Sequence, residues 1–118
     1  MLGNCYLFGN GVAQNYKIAV EWYKKAAEQG IADAQCSLGS CYFNGNGVAQ
    51  DYAEAVKWCT RAAEQGIASA QYTLGNCYLN GEGVEQDRLT AVIWFKKAAA
   101  NGDELAKSLL EKLGVTYE

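Results

Sequence analysis

Five cysteines and no histidine set the terms for any chemistry in this chain. Without imidazole there is no Ser-His or Cys-His nucleophile pair and no usual zinc ligand or general base. Ser37, Ser40, Ser69 and Ser108 have no lysine three residues on, so the S-x-x-K arrangement of a serine acyl-transfer site is missing as well. Cys5, Cys41 and Cys77 recur every 36 residues, which places successive thiols about 10 Å apart on stacked helices, beyond disulfide reach. Cys36 and Cys41 project roughly 140° apart on one helix and cannot bond to each other. Cys41–Cys59 is the one pair that antiparallel helices would leave open. An odd count without paired spacing points to five reduced, mostly buried thiols and a reducing compartment. Short C-x₂-C spacings are absent, so no metal site is expected. Gly45-Asn46-Gly47 and its copies resemble a phosphate loop only superficially. They follow a helix, and no strand precedes them, so a helix–helix turn is the expected role.

Those residues are placed by a repetition. Gly39-Ser40-Cys41-Tyr42 returns as Gly75-Asn76-Cys77-Tyr78 and is foreshadowed by Gly3-Asn4-Cys5-Tyr6. Residues 9–14 and 45–50 both read GNGVAQ, and residues 26–32 and 62–68 both read AAEQGIA. A fixed period of this length marks supersecondary units that bury their apolar faces by stacking on each other. Within one unit, Ala34, Leu38, Cys41 and Tyr42 share an arc of a first helix, A, over 33–44. Tyr52, Ala55, Val56, Trp58, Cys59, Ala62 and Ala63 share a broad arc of a second, B, over 51–65, with Lys57, Arg61 and Glu64 on a solvated outer face. Asp51 with Glu54 three residues on is a capping-box start, repeated in position by Asn15 and Asp87. With no proline, glycine and asparagine make the turns. Gly39 and Gly75 inside helix A should cost about 1 kcal/mol against alanine, so they imply close approach to helix B, with Ala55 and Ala62 as the expected partners. Trp22, Trp58 and Trp94 are expected to form an inter-repeat packing ladder.

The run Ala34…Leu38-Gly39…Tyr42…Gly45-x-Gly47-Val48…Asp51…Ala55…Trp58…Ala62-Ala63…Gly66 resembles the Sel1-like repeat, a relative of the tetratricopeptide repeat. The resemblance covers nearly the whole chain. It implies an all-α solenoid, a superhelix of antiparallel helix pairs, and a non-catalytic scaffold for protein or peptide contacts, with no cofactor. The units run over 1–30 (truncated), 31–66 and 67–102, with 103–118 a C-terminal capping helix in which Glu111 replaces the buried glycine. At the N-terminus Leu2 and Tyr6 lack a covering helix, so a longer array or a homodimer through that edge is expected. A cysteine-rich branch of the family staples helix B to the next helix A through C-x₇-C. Ala27 and Ala63 with Gln35 and Gln71 occupy those positions here, which removes support for the penicillin-binding or β-lactamase activity linked to that branch.

In related superhelices helix A lines the inner surface, so that is where the partner site is sought. Three ladders lie opposite its core arc. Asn4, Ser40 and Asn76 are polar, Leu7, Phe43 and Leu79 apolar, and Phe8, Asn44 and Asn80 turn from apolar to amide, with Cys36 and Tyr72 on the flank. Amides along a groove can hydrogen-bond an extended peptide, and the larger side chains can supply pockets. Asn44 and Asn80 are equally suited to ending helix A. A formal net charge of -3 and a pI near 4.9 leave no basic footprint for nucleic acid or anionic membranes, and no apolar run is long enough to span a bilayer. Met1 already stands inside a repeat and no signal peptide is visible, so a cytoplasmic setting is expected.

Overall fold

The computed structural model describes residues 16–114, which form six helices and no strand. They are α1 (Tyr16–Glu28), α2 (Ala32–Asn44), α3 (Tyr52–Glu64), α4 (Ala68–Asn80), α5 (Arg88–Ala100) and α6 (Glu104–Lys112). Helices α2, α4 and α6 are A helices, and α1, α3 and α5 are B helices. Each packs against the next in the chain, in the all-α repeat architecture that the periodicity predicts.

Both helix boundaries follow from local chemistry. Asp51 accepts a hydrogen bond from the Glu54 N–H at 3.1 Å, and Asp87 accepts one from Thr90 at 3.1 Å, so each N-cap satisfies a backbone donor that the helix leaves over. Asn15, the third residue assigned that role, lies outside the described residues. The A helices end at Gly45 and Gly81, left-handed at φ 73° and 72°, whose N–H groups return to Cys41 and Cys77. Gly47 has a second reason to be glycine. A Cβ there would lie 2.6 Å from the Tyr16 carbonyl oxygen, so the A-to-B loop of one repeat rests directly on the first turn of the preceding B helix.

The core is a chain of small clusters, each shared between neighbours. Val20 and Ala27 of α1 meet Ala34, Leu38 and Cys41 of α2 and Trp58 of α3. Cys36, Ala62, Ala63, Ala70 and Leu74 form the next cluster, with Trp94 packed on it. Phe95, Ala98, Ala99, Ala106 and Leu110 close the series. Close approach at the helical glycines is as expected, and of the two expected partners Ala55 stands beside Gly39. A Cβ on Gly39 would stand 2.6 Å from Cys59 Sγ and 3.3 Å from the Ala55 carbonyl, and one on Gly75 would stand 2.6 Å from the Phe95 ring. Ala62 is not among the nearest atoms; the space left by each glycine is filled by residue 59 or its counterpart 95.

A buried amide ladder joins the repeats. Gln35 donates to the Ala27 carbonyl at 3.1 Å and accepts from Gln65 at 2.9 Å. Gln71 donates to Ala63 at 3.0 Å and accepts from Asn101 at 2.9 Å. These bonds join Ala27 to Gln35 and Ala63 to Gln71, the positions a C-x₇-C staple would use. A non-covalent link therefore stands where the cysteine-rich pattern has a covalent one.

Two expectations need correction. Trp58 is 6% exposed and Trp94 is partly buried, but Trp22 is 66% exposed, so the tryptophan ladder is not packed along its whole length. Cys41, Cys59 and Cys77 are free thiols, whereas Cys36 is disulfide-bonded, and to none of those three. The expectation of five reduced thiols therefore fails at Cys36.

Candidate functional site

Helices α2 and α4 present a free face with an unusual chemistry. Asp33 is the single charged side chain in α2, and α4 has none, whereas every B helix carries several lysines, arginines or glutamates. The reason lies in the repeat: the A helix is flanked by B helices and by neighbouring A helices, and only a strip of it meets water. On that strip Ser40, Phe43, Tyr72, Asn76 and Leu79 are half-buried, and Asn44 and Asn80 are exposed. Asn4, Leu7 and Phe8, assigned to the same ladders, lie outside the described residues.

Cys36 does not belong with them. It is 3% exposed, disulfide-bonded and 3.5 Å from Ser69 Oγ, so it serves packing between repeats and offers a partner no surface. Its counterpart Tyr72 is half-buried. The Tyr72 ring leans on Phe95 instead, with centroids 5.8 Å apart, and stays at the surface.

The apolar members are anchored. Phe43 lies 5.2 Å from the Tyr52 ring, and Leu79 packs on the α5–α6 core. Gln50 and Gln86 donate to the carbonyls of Phe43 and Leu79 at 2.9 and 2.8 Å, which holds the last turn of each A helix in place. The polar members are unengaged. No side-chain hydrogen bond joins Ser40, Asn44, Asn76 or Asn80 to another described residue. The glycines that follow end the helices, so Asn44 and Asn80 are not needed as side-chain caps. The strip therefore combines preset apolar contacts with amides that face solvent.

The thiols are poorly placed for nucleophilic chemistry. Burial pushes Cys41 and Cys77 up to about 11 and Cys59 to about 12, so they are protonated at neutral pH. Among the described residues no group of His, Cys, Asp or Glu could hold a metal ion. No described helix is long and apolar enough to cross a membrane.

Some surface features were not anticipated from the sequence. Leu89 and Ile93 are 78% and 52% exposed, one turn apart on the outer face of α5. Ala53 and Lys57 hold those places in α3, and comparing the repeats at these positions would have revealed the change. Ile18 is also exposed, beside Trp22 on α1.

A family model described as Sel1 repeat matches residues 1–31, 32–67 and 68–103. A search of the curated proteins returned no match. Among solved structures, a protective antigen of uropathogenic Escherichia coli with an SLR fold is 44% identical, covers 97% of this chain and 25% of its own, and has a TM-score of 0.82. A Sel1 repeat protein from Oxalobacter formigenes is 41% identical over 79% of this chain and 27% of its own, with a TM-score of 0.77. The chain thus spans about a quarter of the length of these two proteins. Cysteine-rich protein B of Helicobacter pylori is 22% identical over 83% of this chain and 88% of its own, with a TM-score of 0.73, a likeness of fold alone. Three consecutive repeat matches and the helical-repeat architecture agree: the chain belongs to the Sel1 repeat family, whose members are helical-repeat scaffolds generally involved in protein–protein interaction.

Proposed function

We propose that this protein is a non-catalytic scaffold that binds an extended segment of a protein partner along the free face of its A helices. The observation that carries this reading is the sparsely charged strip of α2 and α4, with Asp33 its single charge, where Ser40, Asn44, Asn76 and Asn80 make no internal side-chain hydrogen bonds. An extended backbone has N–H and C=O groups that such amides can meet, and each pair formed exchanges a water bond for a directed one. Phe43, Tyr72 and Leu79, steadied by Tyr52, Phe95 and the α5–α6 core, would give the partner's side chains apolar contacts at little ordering cost. The partner segment is expected to be weakly charged, because a charged one would lose hydration without gaining an opposite charge.

The test combines Phe43→Glu with Asn76→Ala. Peptides selected by display against the wild-type chain should bind the double variant at least about tenfold more weakly, with circular dichroism unchanged. Retained affinity with unchanged helicity would place the binding surface elsewhere.

A further inference from the structure

The outward stripes of the three B helices occupy the same repeat positions and differ in chemistry. Steps of three and four residues put each stripe on one helix face. In α1 it reads Lys17, Glu21, Lys24, Lys25 and Glu28, and in α3 Ala53, Lys57, Thr60, Arg61 and Glu64. Both mix the two signs, and Lys57 is paired with Glu54 at 3.1 Å. Helix α5 keeps the cations and drops the acids. Its stripe is Leu89, Ile93, Lys96, Lys97 and Ala100, all exposed, and the helix contains no aspartate or glutamate. Lys96 and Lys97 form no ion pair with a described residue, and Lys97 is steadied over the Trp94 ring at 4.6 Å. Stacking of repeats does not cover this stripe. Lys57, Arg61 and Glu64 stay exposed on α3, although that helix packs on core clusters before and after it.

We infer that the outer face of α5 is a docking surface for an acidic amphipathic helix of a partner protein, distinct from the strip on the A helices. Charge complementarity defines the occupant. Two adjacent cations without counterions call for carboxylates, and two exposed aliphatic side chains a turn and a half away call for apolar anchors on the same partner face. From Leu89 to Ala100 the stripe runs roughly 16 Å, three turns of one helix, and is one helix wide. A flat anionic membrane fits less well. The chain carries a net charge of -3, and exposed Glu64 on α3 and Glu104 and Glu111 on α6 would meet such a plane together with the lysines. A single helix lying along α5 avoids those carboxylates. Its direction follows from its own stability. Acidic residues favour the first turn of a helix, and antiparallel docking sets that turn against Lys96 and Lys97 at the end of α5.

The probe is an alanine-based helical peptide with two glutamates in its first turn and leucines one and two turns further on. Its isomer with lysines in place of the glutamates is the control. Fluorescence anisotropy should give the glutamate peptide a Kd below about 1 mM and the control one at least about tenfold weaker. Leu89→Glu with Ile93→Glu, and separately Lys96→Gln with Lys97→Gln, should each weaken the glutamate peptide at least about tenfold with circular dichroism unchanged, since all four side chains are exposed. The glutamine pair should also remove most of the salt dependence of binding. Phe43→Glu with Asn76→Ala should bind this peptide as the wild type does, so the two surfaces succeed or fail independently. No binding of the glutamate peptide to the wild-type chain, or binding that survives Leu89→Glu with Ile93→Glu, would overturn the inference. So would co-sedimentation with phosphatidylserine vesicles, or self-association, that the same pair abolishes, which would make a lipid surface or a second copy the occupant.

Discussion

Alanine at Gly39 asks whether the helical glycines are there for close packing. The substitution removes the helix-propensity cost of glycine, a gain of about 1 kcal/mol. Against it, the new Cβ falls 2.6 Å from Cys59 Sγ and 3.3 Å from both the Ala55 carbonyl oxygen and the Cys59 nitrogen. Cys59 is 1% exposed and cannot swing away, and overpacking of such a core costs about 1–3 kcal/mol. The net expectation is a loss of about 1 kcal/mol, or roughly 4 °C in melting temperature. Most of the strain resides in one sulfur atom, so Gly39→Ala should be neutral or stabilising once Cys59→Ala has removed it. Urea unfolding of the four proteins of this double-mutant cycle measures the coupling, expected at about 1–2 kcal/mol and above the 0.3–0.5 kcal/mol scatter of independent sites. Gly39→Ala stabilising the wild-type chain, or coupling within that scatter, would refute the packing argument.

Other consequences are more local. Gln71→Leu leaves the buried Ala63 carbonyl without its side-chain donor and strands Asn101, so unfolding should become easier by about 1–3 kcal/mol in denaturant titration. The Thr90 backbone N–H, helped by its hydroxyl, holds the Asp87 carboxyl below its ordinary value of 3.8. A depressed native pKa stabilises the fold above that ordinary value and loses its effect as pH falls below it, so Asp87→Asn should flatten the acid limb of the stability curve under pH 3.8; an unchanged limb would show that the cap is not electrostatic. Cys41, Cys59 and Cys77, pushed up to about 11, 12 and 11, should resist iodoacetamide at pH 8 until the chain unfolds, and mass spectrometry showing native labelling would contradict their burial.

Repetition made much of this architecture readable. Asp51 and Asp87 cap, Gly45 and Gly81 end helices, and Gly39 and Gly75 admit the neighbouring helix, because each role depends on a few residues nearby in the chain or the same pair. The errors came where equal letters meet unequal neighbours. Trp22 matches Trp58 in sequence, yet one is exposed and the other buried, and Trp58 is covered by residues of two helices, Val20 and Ala27 of α1 and Leu38 and Cys41 of α2. Cys36 sits on the helical wheel beside surface residues but is covered by Ser69 of the next A helix, a contact that no single-helix projection contains. The link from Gln35 to Gln65 crosses 30 positions and was hidden for the same reason. In the candidate site, types and spacing were legible as ladders. The disengagement of Asn44 and Asn80 from capping needed the backbone geometry of Gly45 and Gly81.

Binding along the A helices is tested most directly by mapping where a bound peptide touches. With a display-selected peptide added to isotopically labelled protein, the account predicts that the side-chain amide signals of Asn44, Asn76 and Asn80 shift together with the backbone of α2 and α4. Shifts confined to the outer faces of α3 and α5, around Lys57 or Leu89 and Ile93, would contradict it.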